Sequence, residues 1–133
     1  MALVFDTRFL IAHTFPPSME HRRLISSFLS RIIGEELYIP SIVVVEYIRI
    51  AGRRIGIDAA ETKIRSWINS GVRLITLDYD TSMEAGELSA KYPFIPMADI
   101  IIATLAGKIK ARVVTDDKHF RTLGIKTVWY TRR

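Results

Sequence analysis

Short apolar runs with strand character alternate with longer segments of helical spacing along the chain. This alternation limits the fold more than any other feature. The runs are Ala2–Phe5, Leu37–Pro40, Val72–Leu77, Arg112–Thr115 and Lys126–Tyr130. From Met19 to Ile33, by contrast, Leu24, Ile25, Phe28, Leu29 and Ile32 recur at helical spacing. Strands alternating with helices predict a parallel sheet covered on both faces and joined by right-handed crossovers. The length of 133 residues suits one compact domain, 1–133. The expected class is α/β, a three-layer α/β/α sandwich around a mainly five-stranded parallel sheet.

Turn and cap residues divide the chain further. Pro16-Pro17 breaks a short helical segment, and Ser18 is a cap for the next helix, which Gly34 stops. Pro40-Ser41 reads as a start signal, with Ser41 capping a helix that runs through Glu46 to about Ile55. The β-branched run Ile42–Val45 favours strand on local propensity. The continuation EYIRIAGRR favours helix. Asp58 is expected to cap a helix to about Asn69, and an amphipathic helix is expected from Thr81 to about Lys91. Met97 to about Ile109 is apolar almost all round, which predicts a buried helix. A short turn of helix is expected over Lys118–Leu123.

Four acidic residues stand where apolar segments end or begin: Asp6 in LVFDT, Glu46 in PSIVVVEYIR, Asp99 in PMADIIIATLA and Asp117 in VVTDDKHF. In a parallel α/β sheet, ligands sit beyond the carboxyl ends of the strands, at the point where strand order reverses. Asp6 and Asp117 follow strands at that edge, and Glu46 and Asp99 lie early in helices that leave it. The four carboxylates can therefore meet. Clustered carboxylates raise one another's pKa unless a cation intervenes, so a divalent metal is the natural resident. Each residue also has a purely structural role open to it. Asp6 suits an N-cap for a helix beginning at Thr7. Glu46 is spaced to pair with Arg49. Asp99 suits the positive end of its helix, though it is the one charge between Lys91 and Lys108. Strand alternation does not decide which of Asp116 and Asp117 faces the site, and the Thr115 hydroxyl is placed to orient a carboxylate. His13, His21 and His119 are not at metal-ligand spacings, and His119 is expected at the surface.

The net charge of +5 suits an anionic partner, with nucleic acid first. The chain has no cysteine, which removes disulfides and thiolate metal sites and suits a reducing cytoplasm. The N-terminal MALVFDT has no basic stretch and no long apolar run, so neither a signal peptide nor membrane attachment is expected. No apolar run approaches the roughly 20 residues a membrane span needs.

In LVFDTRFLIA, PSIVVVEYIR, IPMADIIIATLA and VVTDDKHF, taken in order over nearly its whole length, the chain resembles the PIN-domain ribonucleases, in particular the VapC-type toxins of toxin–antitoxin pairs. The pieces Thr115-x-Asp117-x-x-Phe120 and Ala98-Asp99-x-x-Ile102-Ala103 carry most of the specificity. The resemblance implies a PIN-like fold. It implies a catalytic and metal site of Asp6, Glu46, Asp99 and Asp117, with Asp116 in the variable position beside it. One or two Mg²⁺ or Mn²⁺ ions, cleavage of single-stranded RNA by in-line attack of water, an antitoxin partner and a homodimer are implied as well. Arg8 departs from the family pattern, which often has a small polar residue there. It either pairs with a carboxylate and competes with metal, holds a substrate phosphate, or points to solvent.

Substrate contacts are expected from Arg49 and Arg53 on the Glu46 helix, from Arg8 and from Thr115. Arg22-Arg23, Arg54 and the tail Arg132-Arg133 are further candidates. Tyr47 and Tyr92 are candidates for base stacking or for packing. Three rival readings remain. One is a phosphoacceptor receiver-like domain with Asp78 as the acceptor. Another is a non-catalytic RNA-binding protein on the same fold. The third is a PIN nuclease of RNA processing outside toxin systems.

Overall fold

The computed structural model describes residues 1–132. Its elements run β1 (Ala2–Phe5), α1 (Thr7–Thr14), α2 (Met19–Ile32), β2 (Glu36–Pro40), α3 (Ser41–Ile55), α4 (Ile57–Asn69), β3 (Arg73–Ile75), α5 (Tyr79–Lys91), α6 (Met97–Lys108), β4 (Arg112–Val114), α7 (His119–Thr122) and β5 (Thr127–Val128). The five strands form one parallel sheet in the order β3-β2-β1-β4-β5. This is the three-layer α/β architecture expected from the alternation. The chain builds outward from β1 through β2 to β3, then returns to the other side of β1 for β4. Strand order therefore reverses between β1 and β4, where Leu3 lies opposite Arg112 and Phe5 opposite Val114. The crevice at the carboxyl ends of these two strands is the ligand position of such sheets.

The central strand is buried on both faces, with Leu3, Val4 and Phe5 inaccessible. Phe9 of α1 locks the following helix onto it. Its ring stacks on Phe5 at 5.0 Å between centroids and meets Phe28 at 5.6 Å and Trp129 at 6.1 Å. The Asp6–Arg8 segment is held between these two anchors, so its direction is set by core packing. The β-branched run at Ile42–Val45 is helical, because Val43, Tyr47 and Ala51 bury one face of α3 at four-residue spacing.

Several boundaries differ from expectation. Pro40, not Ser41, is the N-cap of α3, and it contributes no side-chain bond. Gly56 (φ 92°), not Asp58, stands at the N-cap of α4, with Asp58 in the first turn. Asp78 caps α5 by accepting from Thr81 N at 2.8 Å, so that helix starts earlier than Thr81. The edge strands β3 and β5 are shorter than their apolar runs. An edge strand pairs on one side only, and β4, the partner of β5, is itself three residues long. Trp129 and Tyr130 leave the ladder and pack as core residues. No helix of the described residues is long and apolar enough to cross a membrane.

Candidate active site

Asp6 is the first residue after β1 and is only 2% exposed. Its Oδ1 accepts from Thr7 N (2.8 Å), capping α1, and its Oδ2 accepts from Thr115 Oγ1 (2.7 Å) across the β1–β4 switch point. It therefore caps a helix and also faces the acidic cluster. Burial pushes its pKa up to about 7, and the charges of Asp99 and Glu46 push the same way, against the hydrogen bonds from Thr115 and Thr7. An oxygen-ligated cation would remove that penalty.

Thr7 continues the pattern, its Oγ1 donating to Glu46 Oε1 at 2.6 Å. Glu46 thus finds its partner on another element and makes no ion pair with Arg49 among the described residues. Asp99 lies in the first turn of α6, whose N-cap Pro96 supplies no side-chain acceptor. Burial raises its pKa, and Asp117 and Glu46 add to this while the bond to His119 opposes it. Asp6, Glu46, Asp99 and Asp117 therefore sense one another's charge although they come from four separate segments.

After β4 the chain turns sharply, and the two aspartates part company. Asp117 N donates to Thr115 Oγ1 (3.1 Å), and Asp117 Oδ1 accepts from His119 N (2.9 Å). Asp117 so faces the cluster. Asp116 turns outward, where its Oδ1 takes Arg8 Nε at 2.5 Å. Arg8, with a side chain 55% exposed, is occupied by Asp116 rather than by Asp6, Glu46, Asp99 or Asp117.

Two expectations are corrected here. His119 does not lie free at the surface. Its Nδ1 is 2.8 Å from Asp99 Oδ2 and 3.1 Å from Asp117 Oδ1, and its side chain is 37% exposed. One ligand atom each from Asp99, Asp117 and His119 falls within 4.8 Å of the others. Thr115, expected to touch substrate, is fully buried and acts as a hub, donating to Asp6 and accepting from Asp117 N. Tyr47 is also fully buried with its hydroxyl 2.7 Å from Thr14 Oγ1, so it presents no face to a base. Tyr92 is partly buried against the Ala85–Ile95–Ile100 cluster. Sequence reasoning missed Thr7 and His119. Their signals were an acid followed by a hydroxyl in LVFDT and an acid two residues before a histidine in DDKHF, both too common to stand out.

The other candidate cations are exposed or engaged elsewhere. Arg49 and Arg53 are exposed on α3. Arg54 lies 3.7 Å from the centroid of the Phe15 ring. Arg22, Arg23 and Arg132 are exposed, and Arg133 lies outside the described residues. Asp78, the receiver-type acceptor candidate, follows edge strand β3 and is engaged by Thr81 N and by Lys108 Nζ (3.4 Å). It is not part of the acidic cluster.

The donor set of carboxylate oxygens suits a hard divalent ion such as Mg²⁺ or Mn²⁺. Burial and the neighbouring carboxylates both raise Asp6 and Asp99, and a bound cation would oppose that rise.

Three solved structures share the fold. VapBC2 from Rickettsia felis, bound to a DNA fragment from its promoter, matches at TM-score 0.79 and 17% identity over 97% of this chain and 98% of that one. VapBC-1 from nontypeable Haemophilus influenzae matches at TM-score 0.79 and 16% identity over 99% and 100%. VapC20 from Mycobacterium tuberculosis, a sarcin–ricin-loop-cleaving toxin, matches at TM-score 0.73 and 17% identity over 92% and 95%. No curated protein sequence matches at a significant level. Residues 3–126 match the PIN domain model, and with the four carboxylates gathered at the switch point of a five-stranded parallel sheet, the chain belongs to the PIN domain family.

Proposed function

We propose that this chain is a metal-dependent endoribonuclease acting on single-stranded RNA, and the toxin of a toxin–antitoxin pair. The observation that carries the reading is the convergence of Asp6, Glu46, Asp99 and Asp117 on the β1–β4 crevice, with the pKa of Asp6 pushed to about 7. Asp6, Asp99, Asp117 and Glu46 would hold one or two Mg²⁺ or Mn²⁺ ions. Such an ion supplies charge against the phosphodiester and makes water a better nucleophile near neutral pH.

The chain's own residues do the positioning. Thr115 and Thr7 pin both oxygens of Asp6, and Thr7 pins Glu46, so two acids from β1 and α3 share one rigid frame. His119 bridges Asp99 and Asp117, with Nδ1 within hydrogen-bond distance of both carboxylates. Arg8, braced by Asp116, stands at the rim, where its free Nη groups suit a substrate phosphate. Arg49 and Arg53 supply sequence-independent phosphate contacts from α3. The fold shared with VapBC structures supports an antitoxin partner, and the reading takes the chain to act as a homodimer in the cytoplasm.

A second reading is favoured by His119. Its ring occupies the space between Asp99 and Asp117 and makes the contacts a cation would make there. A non-catalytic RNA-binding or RNA-processing member of the family, outside toxin systems, would look like this. Mn²⁺ titration calorimetry with a cleavage assay separates the two. The nuclease reading expects binding and EDTA-sensitive cleavage of single-stranded RNA by the wild type, with both lost in Asp99→Asn. A folded wild type that binds no Mn²⁺ and leaves RNA intact leaves the second reading standing.

A further inference from the structure

We infer that the sheet edge opposite the acidic cluster carries a second, basic site that holds a phosphate of the RNA strand. The inference rests on the RNA-directed reading above and deepens it by adding a binding subsite remote from the carboxylates. Arg112 opens β4 and Thr115 follows it, so about 10 Å of strand separates the two sites. At the far end, Arg112, Arg121 and Lys126 line an open concavity of roughly 500 Å³. A neighbouring concavity of roughly 560 Å³ shares Arg112 and Lys126 and adds Lys110. Neither is lined by a carboxylate. The nearby Glu35 is engaged by the N-terminal ammonium at 3.2 Å.

Four cations thus line these two adjoining concavities with no ion pair among the described residues. Like charges gathered without a counterion repel one another, and such a group is neutralised by a bound anion. Two further details bear on this group. Arg112 Nε is buried with no hydrogen-bond partner, a donor left one bond short. An anion in the open concavity cannot reach that buried nitrogen, so only the accessible rest of the Arg112 side chain adds to the cation group.

The second detail is Lys110, whose φ of 56° is the one positive value among the described non-glycine residues. It closes α6, with Lys110 N bonded to Gly107 O and Ala111 N to Ala106 O. Glycine or asparagine is the ordinary occupant of such a position. A lysine there costs the fold conformational energy and brings a cation to the rim of the concavity. A single-stranded phosphodiester chain fits these features, because it offers a repeated singly charged anion. An RNA passing edge strand β5 would meet this site at one end and the carboxylates at the other.

The test uses the full chain, a fluorescein-labelled single-stranded oligouridylate and fluorescence anisotropy in EDTA, so that binding is read without cleavage. Wild type is compared with Arg121→Ala/Lys126→Ala and with Lys110→Gly. Losing two phosphate contacts lowers the salt slope on a single strand by about 1.4. Between about 50 and about 200 mM salt, the double variant should then lose roughly sevenfold less affinity than wild type. Lys110→Gly should lower the slope by about 0.7 while melting no lower than wild type, because glycine relieves the turn. Unchanged affinity and slope in both variants overturn the site. Reduced binding of duplex DNA with unchanged binding of the oligouridylate overturns the RNA assignment in favour of DNA. A wild type that cannot cleave RNA, alongside variants that still lose slope, removes the nuclease reading and leaves the phosphate site in place.

Discussion

Replacing Thr115 by valine isolates the hub of the acidic site with almost no change of volume. The hydroxyl donates to Asp6 Oδ2 at 2.7 Å and accepts from Asp117 N at 3.1 Å. The bond to Asp6 lowers its pKa, working against burial and against Asp99 and Glu46. A hydrogen bond to a charged group is worth about 1.5–3 kcal/mol in a buried setting. Losing it should carry the pKa of Asp6 from about 7 to about 8 or 9. Since a metal ligand must be ionised, the share of protein ready to bind at pH 7 falls from about half to between about a tenth and a hundredth. Apparent Mn²⁺ affinity should drop about 5- to 50-fold at pH 7. The gap should narrow as pH rises, because both proteins approach full ionisation.

Titration calorimetry from pH 6 to pH 8.5 reads this directly, and repeating it in buffers of different ionisation heat counts the protons released. Wild type should release close to half a proton from Asp6 per binding event near pH 7, and the valine variant closer to one. Thr115→Ser keeps the hydroxyl and should restore wild-type behaviour. The reasoning is refuted if the valine variant, still folded, binds Mn²⁺ with wild-type affinity and the same pH dependence.

A raised carboxylate also shapes stability. The Asp6 pKa of about 7 lies above its ordinary 3.8, so its ionisation is harder in the folded state, and metal-free stability should fall as pH rises between those values. The loss should reach up to about 4 kcal/mol in all, of which roughly 2.6 kcal/mol falls between pH 5 and pH 8 and is read as a lower denaturation midpoint at pH 8. Asp6→Asn should flatten that profile, melt above wild type at pH 8 without metal, and abolish Mn²⁺ binding. Asparagine keeps the helix cap, so a variant that melts well below wild type at pH 8 contradicts the burial account. His119→Ala frees Asp99 Oδ2 and Asp117 Oδ1 and should raise Mn²⁺ affinity about fivefold, the order expected for removing one hydrogen-bonded competitor. A fall in affinity instead makes His119 a ligand. Phe9→Ala removes a ring packed against Phe5, Phe28 and Trp129 and should cost about 3–5 kcal/mol in urea denaturation, with loss of site geometry as Asp6 and Arg8 lose their anchor.

The site divides into what local sequence encodes and what only the sheet assembles. The order of strands and helices was legible because apolar period and turn residues are local signals. An acid at the end of an apolar run, as at Asp6 or Asp99, is local too. The lengths of β3 and β5 were not legible, because an edge strand extends only as far as its single neighbour, and β4 stops at Val114. The same limit hid the bonds that organise the carboxylates. Thr115 and Asp6 are 109 residues apart, Thr7 and Glu46 39, and Arg8 and Asp116 108. Each pair is joined by sheet order, and no period or spacing within a segment announces it. The division has a chemical consequence. The acids alone, placed at strand ends, would make a repelling and mobile cluster. The threonines and His119, reached only through the fold, give each acid of the cluster a hydrogen-bond donor, so that the charges stay close enough to share a cation while none of them is left without a donor.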